Sequence, residues 1–209
     1  MENNIDKSEA VSKVPNNVST PTTKNKIKIV AKDAWDLVKF AAIALAIVIP
    51  VRMYIGQPFV VSGTSMVPTF LDGQYLIVDE ISYTIKGAHR GDVVIFKYPG
   101  DTSRYFIKRI IGLPNEKVEI NDGVVKIINK ENPDGFILNE PYINEKFHTT
   151  EKYETSKDEY FVMGDNRNMS ADSRVWGILP KKLMIGRAFL RLLPFDHISY
   201  LPGAFKETK

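Results

Sequence analysis

The sequence predicts a mainly β domain of coiled antiparallel strands, carried behind one N-terminal membrane-crossing helix. Three observations predict it. From Gln74 onward, short runs rich in Val, Ile, Tyr and Phe are punctuated by Gly, Pro and Asp, the pattern of strands and turns. One apolar run without a charge, Phe40 to Val51, stands near the N-terminus. No internal repeat is visible, and 209 residues suit one domain with appendages.

The elements follow in chain order. Residues 1–28 are polar, rich in Asn, Ser, Thr and Lys, with prolines at 15 and 21. They bury nothing and read as disordered. With the basic stretch around Lys24, Lys26, Lys28 and Lys32 they form a cytoplasmic tail over 1–34. Residues 35–55 are expected to be the transmembrane helix. Twenty-one helical residues span about 31 Å, near the hydrocarbon thickness. Lys39 and Arg52 flank the apolar run and can snorkel, and Trp35 and Tyr54 suit the interfacial belts. A buried helix of a soluble protein is the competing reading, because twelve uncharged residues are short for a span. A cleaved signal peptide fits less well, since a long polar stretch precedes the run and no small-residue cleavage site follows it. Lysines cluster before the run, and after Arg52 no Lys or Arg occurs until Lys86. The positive-inside rule then places residues 56–209 outside the cell.

That outer domain is expected to contain strands at Gln74–Ile81, Asp92–Tyr98, Tyr105–Ile111 and within Lys117–Ile128. Asn121-Asp122-Gly123 between two apolar runs is a hairpin signal. A further strand and a proline turn lie within Gly135–Ile143. Residues 144–158 read as an exposed charged loop, inside a small insertion over about 129–160. Tyr160–Met163 is another strand, and Ala188–Leu193 a late strand or short helix.

Composition excludes several functions. Residues 56–209 hold twenty Lys/Arg and twenty Asp/Glu, so the domain lacks the basic face of a nucleic-acid binder. There is no cysteine, which removes disulfides, thiolate metal sites and a Cys nucleophile. No metal or cofactor is expected.

Candidate chemistry gathers in three stretches. In Gly63-Thr64-Ser65-Met66-Val67-Pro68-Thr69-Phe70 a serine sits between residues that constrain a loop. A Ser/Thr-rich turn after an anchor is the bland alternative. A nucleophilic serine needs a base. His89, His148 and His197 lie in turns, a charged loop and the C-terminal region, and read as surface residues. A Ser-His-Asp triad remains open, since it recurs in any chain order. In Arg104–Ile111 both faces of the strand are mostly apolar, so periodicity does not say which cation is buried. Arginine cannot be deprotonated, whereas a desolvated lysine can, so Lys108 is the better base. A lysine snorkelling from an edge strand is the competing reading. The third stretch, Gly164–Arg174, is dense in hydrogen-bonding groups. A serine there could orient a neutral lysine, and Asp172 and Arg174 could pair to fix the loop. An Asx-rich surface turn is the alternative.

Together, Ser62–Phe70, Arg90–Pro99, Tyr105–Glu119 and Gly164–Gly177, with Leu138–Ile143, resemble the bacterial type I signal peptidases, in order and over nearly all of residues 35–195. The short segment between Ile127 and Tyr160 is similar to the compact Gram-positive members. The resemblance implies a fold of the signal-peptidase and repressor-protease type. It implies a membrane-anchored serine endopeptidase that removes signal peptides from exported preproteins after small residues, Ala-x-Ala. Its partners would be those preproteins and membrane lipid, without nucleic acid. Position by position, it implies Ser65 as nucleophile, Lys108 as general base and Ser170 as the lysine-orienting serine. Asp172 and Arg174 would be a structural ion pair, and Asp165 and Arg167 supporting loop residues. Phe59, Val61, Met66 and Ile107 would line shallow pockets for small side chains. Two positions depart from the family pattern. Gly63 stands where some members carry a serine that adds a second oxyanion donor, and Asn168-Met169 stands where many carry Asp and another polar residue. A membrane-anchored, non-catalytic interaction domain is the rival from another class, and a self-cleaving repressor-type protein the rival within the fold. Arg90-Gly91-Asp92 reads as a turn entering a strand rather than an adhesion motif.

Overall fold

The computed structural model describes residues 23–54 and 58–205. Helix α1 runs Thr23–Tyr54, starting twelve residues before the expected Trp35. The reason is local. Residues 23–34 contain neither Gly nor Pro, and Lys, Ala and Ile all propagate a helix, so the helical run extends back almost to Pro21. The first 22 residues of the expected tail lie outside the described residues. From Ala34 to Ile49 nearly every side chain is exposed, including Trp35 at 61% and Phe40 at 72%. Among the described residues, no helix is long and apolar enough to cross a membrane.

The other unit begins at Val48 and is mainly β. Its strands are β1 (Pro58–Val60), β2 (Tyr75–Asp79), β3 (Val93–Tyr98), β4 (Asp101–Gly112), β5 (Lys117–Asn121) and β6 (Val124–Ile128). They continue with β7 (Phe136–Ile137), β8 (Glu151–Glu154), β9 (Glu159–Met163), β10 (Leu179–Pro180), β11 (Met184–Leu193) and β12 (Ser199–Tyr200). Short helices α2 (Ile81–Lys86) and α3 (Ser173–Trp176) interrupt them. One sheet has the order β1-β2-β11-β3-β4-β9-β10, with β12 paired to β11; the other is β7-β6-β5-β8. Every pairing is antiparallel.

Strands β3 and β4 sit at the centre of the larger sheet. Alternating residues of β3 enter different cores: Val93 and Ile95 pack with Val61, Met66, Phe70 and Leu76, while Val94 and Phe96 pack with Ile110 and Val162. Both faces are covered, so this strand reads as a continuous apolar run rather than an alternating one. The same cover lies over the C-terminal half of β4, where Ile107 through Gly112 are all buried. The smaller sheet encloses its own core around Val118, Ile127, Leu138 and Phe161.

The expected hairpin forms at β5 and β6. Asp122 and Gly123 take φ of 47° and 81°, both positive, as a type I′ turn requires. The exposed loop expected over 144–158 is corrected. Glu151–Glu154 form a strand on β5, and Phe147 and Thr155 are buried at 5% and 3% exposure. The charges of this segment point outward while alternate groups close the small core. Ala188–Leu193, open between strand and helix on sequence, belongs to the ten-residue β11.

Candidate active site

Ser65 lies on the loop joining β1 to β2. Met66 and Phe70 anchor that loop at 1% and 0% exposure, and Phe70 N–H donates to Met66 O at 2.9 Å. Between these anchors and β1, the backbone swings outward. Gly63 takes φ of 92°, a region that disfavours side chains, and its N–H donates to Asp72 Oδ1 at 2.7 Å. Ser65 is thus held half-buried at the rim of the core.

Lys108 comes from β4 and is 4% exposed. Its Nζ stands 2.7 Å from Ser65 Oγ, a hydrogen bond that the ammonium donates and the neutral amine receives from the hydroxyl. Nζ also donates to Ile107 O at 2.9 Å and lies 5.4 Å from the Phe106 ring centre. Burial pushes the lysine down to about 8, against the opposing pull of Asp172 and Asp165. Desolvation wins because no carboxylate pairs with the amine directly. Asp165 and Asp172 each face an arginine instead.

These arginine pairs form the floor of the site. Arg109, next to Lys108 on the opposite strand face, is 0% exposed. Its Nε and Nη2 donate to the two Asp165 oxygens at 2.7 and 2.6 Å. Its Nη1 donates to Gly91 O and Gly203 O, and the guanidinium stacks 3.9 Å from the Tyr142 ring centre. Asp165 Oδ2 also accepts from Thr69 Oγ1 at 2.5 Å. Asp172 accepts from Arg174 Nε and Nη2, both at 2.8 Å, and from Gly164 N–H at 3.0 Å. Arg167, 3% exposed, grips Glu140 through both terminal nitrogens.

Ser170 lies on the adjoining loop. Among the described residues its Oγ is buried without a hydrogen-bond partner, so the orienting bond to Lys108 is not made here. It packs against Gly164, where an added Cβ would lie 2.3 Å from Ser170 Oγ and 2.4 Å from Ser65 O. Only glycine allows this close approach of two loops.

A cleft of about 540 Å³ opens beside Ser65 and Lys108. Phe59, Val61 and Ile107 line it, with Tyr105 and Arg104 further along β4. Met66, expected in the pockets, is corrected: it is absent from the lining and packs in the core with Phe70 and Leu76. Its position beside Ser65 places the backbone at the rim while the side chain turns inward. His89, His148 and His197 have side chains 68%, 76% and 63% exposed, each facing an aspartate. Arg90 turns inward to Glu116 at 2.7 and 2.8 Å, so Arg90-Gly91-Asp92 is a structural turn.

The family model described as signal peptidase, peptidase S26, matches residues 34–193. The chain belongs to the bacterial type I signal peptidases. It is similar to a probable signal peptidase I-1 of Synechocystis, 33% identical over 182 residues, covering 82% of this chain and 90% of that one. A signal peptidase I of Bacillus amyloliquefaciens is 32% identical, over 84% of this chain and 93% of the relative. A solved signal peptidase I from Enterococcus faecalis is 29% identical, covering 48% of this chain and 95% of the other, with a TM-score of 0.42.

As a type I signal peptidase the chain is a serine endopeptidase, and its supporting groups are more extensive than sequence reasoning named. Arg109, Glu140, Thr69 and Asn166 lie in stretches that the sequence singles out, but the sequence gives none of them a role. Only Arg109 had a signal of its own, as the second cation in an apolar strand. Glu140 and Arg167 are 27 positions apart, and Arg109 and Asp165 are 56 apart, so spacing alone could not pair them.

Proposed function

We propose that this enzyme removes signal peptides from exported preproteins through a Ser65/Lys108 dyad, cutting after small residues. The observation that carries the reading is the 2.7 Å approach of a buried lysine amine to the Ser65 hydroxyl. A neutral amine at that distance can take the serine proton. Ser65 Oγ then attacks the scissile carbonyl, and the tetrahedral oxyanion meets the Ser65 N–H. Lys108 returns the proton to the leaving amine, and a water, activated by the same amine, hydrolyses the ester. Ser170 Oγ, buried and unpartnered beside Ser65, is poised to receive a hydrogen bond from Lys108 once the amine releases the serine. Phe59, Val61 and Ile107 offer apolar contact alone, which selects small side chains by exclusion and discriminates modestly among them.

The test is cleavage of a preprotein whose signal ends in Ala-x-Ala, in detergent. Wild type should cut after the second Ala, and Ser65→Ala and Lys108→Ala should leave it whole. Cutting by Lys108→Ala would remove the lysine from the mechanism. An inert wild type on several such substrates would favour an anchored interaction domain.

The same reading takes residues 35–55, which include the C-terminal part of α1, as the anchor, with the N-terminus cytoplasmic and the β domain outside. Its support is the exposure of apolar side chains such as Trp35, Phe40 and Ile43, surface that lipid would cover, with lysines clustered before the apolar run and no Lys or Arg between Arg52 and Lys86. The full chain should sediment with membranes after alkaline washing. Release into the supernatant would refute the anchor.

A further inference from the structure

The loop carrying Ser65 is gripped by a residue that takes no part in proton transfer. Asn166 follows β9 and faces that loop. Its backbone N–H donates to Ser65 O at 3.0 Å, and its side-chain Nδ2 donates to Thr64 O at 3.2 Å. Its Oδ1 accepts from Met169 N–H at 3.2 Å. This last bond assigns the amide, since an oxygen turned to Met169 leaves the nitrogen facing Thr64.

The two bonds to the loop fall on successive peptide planes. Thr64 O and Ser65 N belong to the same plane, and in a trans peptide the C=O and N–H point opposite ways. A pull on Thr64 O toward Asn166 therefore aims Ser65 N–H away from Asn166. Thr64 and Ser65 line the cleft, and Asn166 does not.

We infer that the Asn166 side chain is a positioning residue for the oxyanion hole, holding the Thr64–Ser65 peptide so that Ser65 N–H faces the developing oxyanion. The inference rests on the reading of Ser65 as nucleophile. Gly63 brings no hydroxyl to the site, so the alignment of the backbone donor matters more. Val67 N–H also donates to Thr64 O, at 3.2 Å, from within the loop. The Asn166 side chain thus sharpens an orientation that the turn begins.

Losing a whole oxyanion donor costs about 10²–10³ in rate. Removing one of two holds on its carbonyl is expected to cost about tenfold in kcat with KM unchanged, because the ground-state carbonyl carries little of the charge. Asn166→Asp and Asn166→Ala separate this role from a structural one. The aspartate keeps the acceptor for Met169 N–H but loses the donor to Thr64; the alanine loses both. Rates are read on the high-pH plateau, where Lys108 is neutral in every variant. Both variants should lose about tenfold in kcat at constant KM, and Asn166→Asp should melt like wild type. Wild-type kcat in Asn166→Asp, or a loss confined to KM, would overturn the positioning role. Undiminished cleavage by Ser65→Ala would instead overturn the nucleophile, and this inference with it.

Discussion

Lys108→Met is expected to lower kcat/KM by about 10³-fold or more, the scale of a general base, while leaving the protein at least as stable as wild type. The two halves of this expectation come from one fact, the 4% exposure of the lysine. A buried ammonium is costly and a buried thioether is not, and methionine fills a similar unbranched space. Activity should follow pH through the neutral fraction of the amine, with kcat/KM rising to a plateau above about 8. At pH 6 it should be about a hundredth of the plateau, one decade per pH unit. The stability effect has a defined sign. Lys108 is held near 8 in the folded chain, against about 10.4 unfolded. Between those values the unfolded chain binds more protons, so stability rises with pH across that window. The gain is lost as pH falls through about 8. Lys108→Met should lack this rise, which melting temperatures at pH 7 and pH 10 would measure. A variant that stays active, or that melts far below wild type, would count against Lys108 as a buried base.

Much of this was legible in the sequence, for physical reasons that differ by element. The hairpin at Asp122-Gly123 was legible because positive φ at two successive residues demands particular side chains. That Ser65 and Lys108 meet, 2.7 Å apart, could not be read from their spacing of 43 residues; only the resemblance of the two stretches to one family put them together. The burial of β4 was not legible, because a strand covered on both faces shows no alternation. Lys108 and Arg109 are therefore both buried, each for a different purpose. The strand at Glu151–Glu154 was hidden because three of its four residues are charged and exposed, on both of its faces. The Ser170 contact illustrates a different limit. A motif names which residues meet, while the partner each hydroxyl chooses is decided by ångström-scale packing.

Asp165→Ala should be the most destabilising single change in the site, by about 3–5 kcal/mol, the usual cost of leaving a buried charge unpaired. For a chain of this size that is roughly 6–20 °C in Tm. Arg109 is fully buried and cannot discharge itself by losing its proton. Its remaining bonds, to Gly91 O and Gly203 O, satisfy part of its hydrogen bonding but do not neutralise it. Replacing both members together, as Asp165→Leu with Arg109→Met, should recover part of the loss, since neither position then carries a charge. Recovery stays incomplete because both carbonyls lose their donor. A loss below about 1 kcal/mol in Asp165→Ala would place the pair among surface-like bridges. The pair also reaches the proposed dyad, because Thr69 Oγ1 donates to the same carboxylate from the loop that carries Ser65. Asp165→Ala should therefore cut activity per folded molecule even well below its Tm. Thr69→Val should reproduce that part while sparing the ion pair. Because Asp165 pulls the lysine upward, its removal should also move the activity profile toward lower pH. That shift separates an electrostatic link to Lys108 from simple loosening of the loop, which would lower the plateau and leave the midpoint in place.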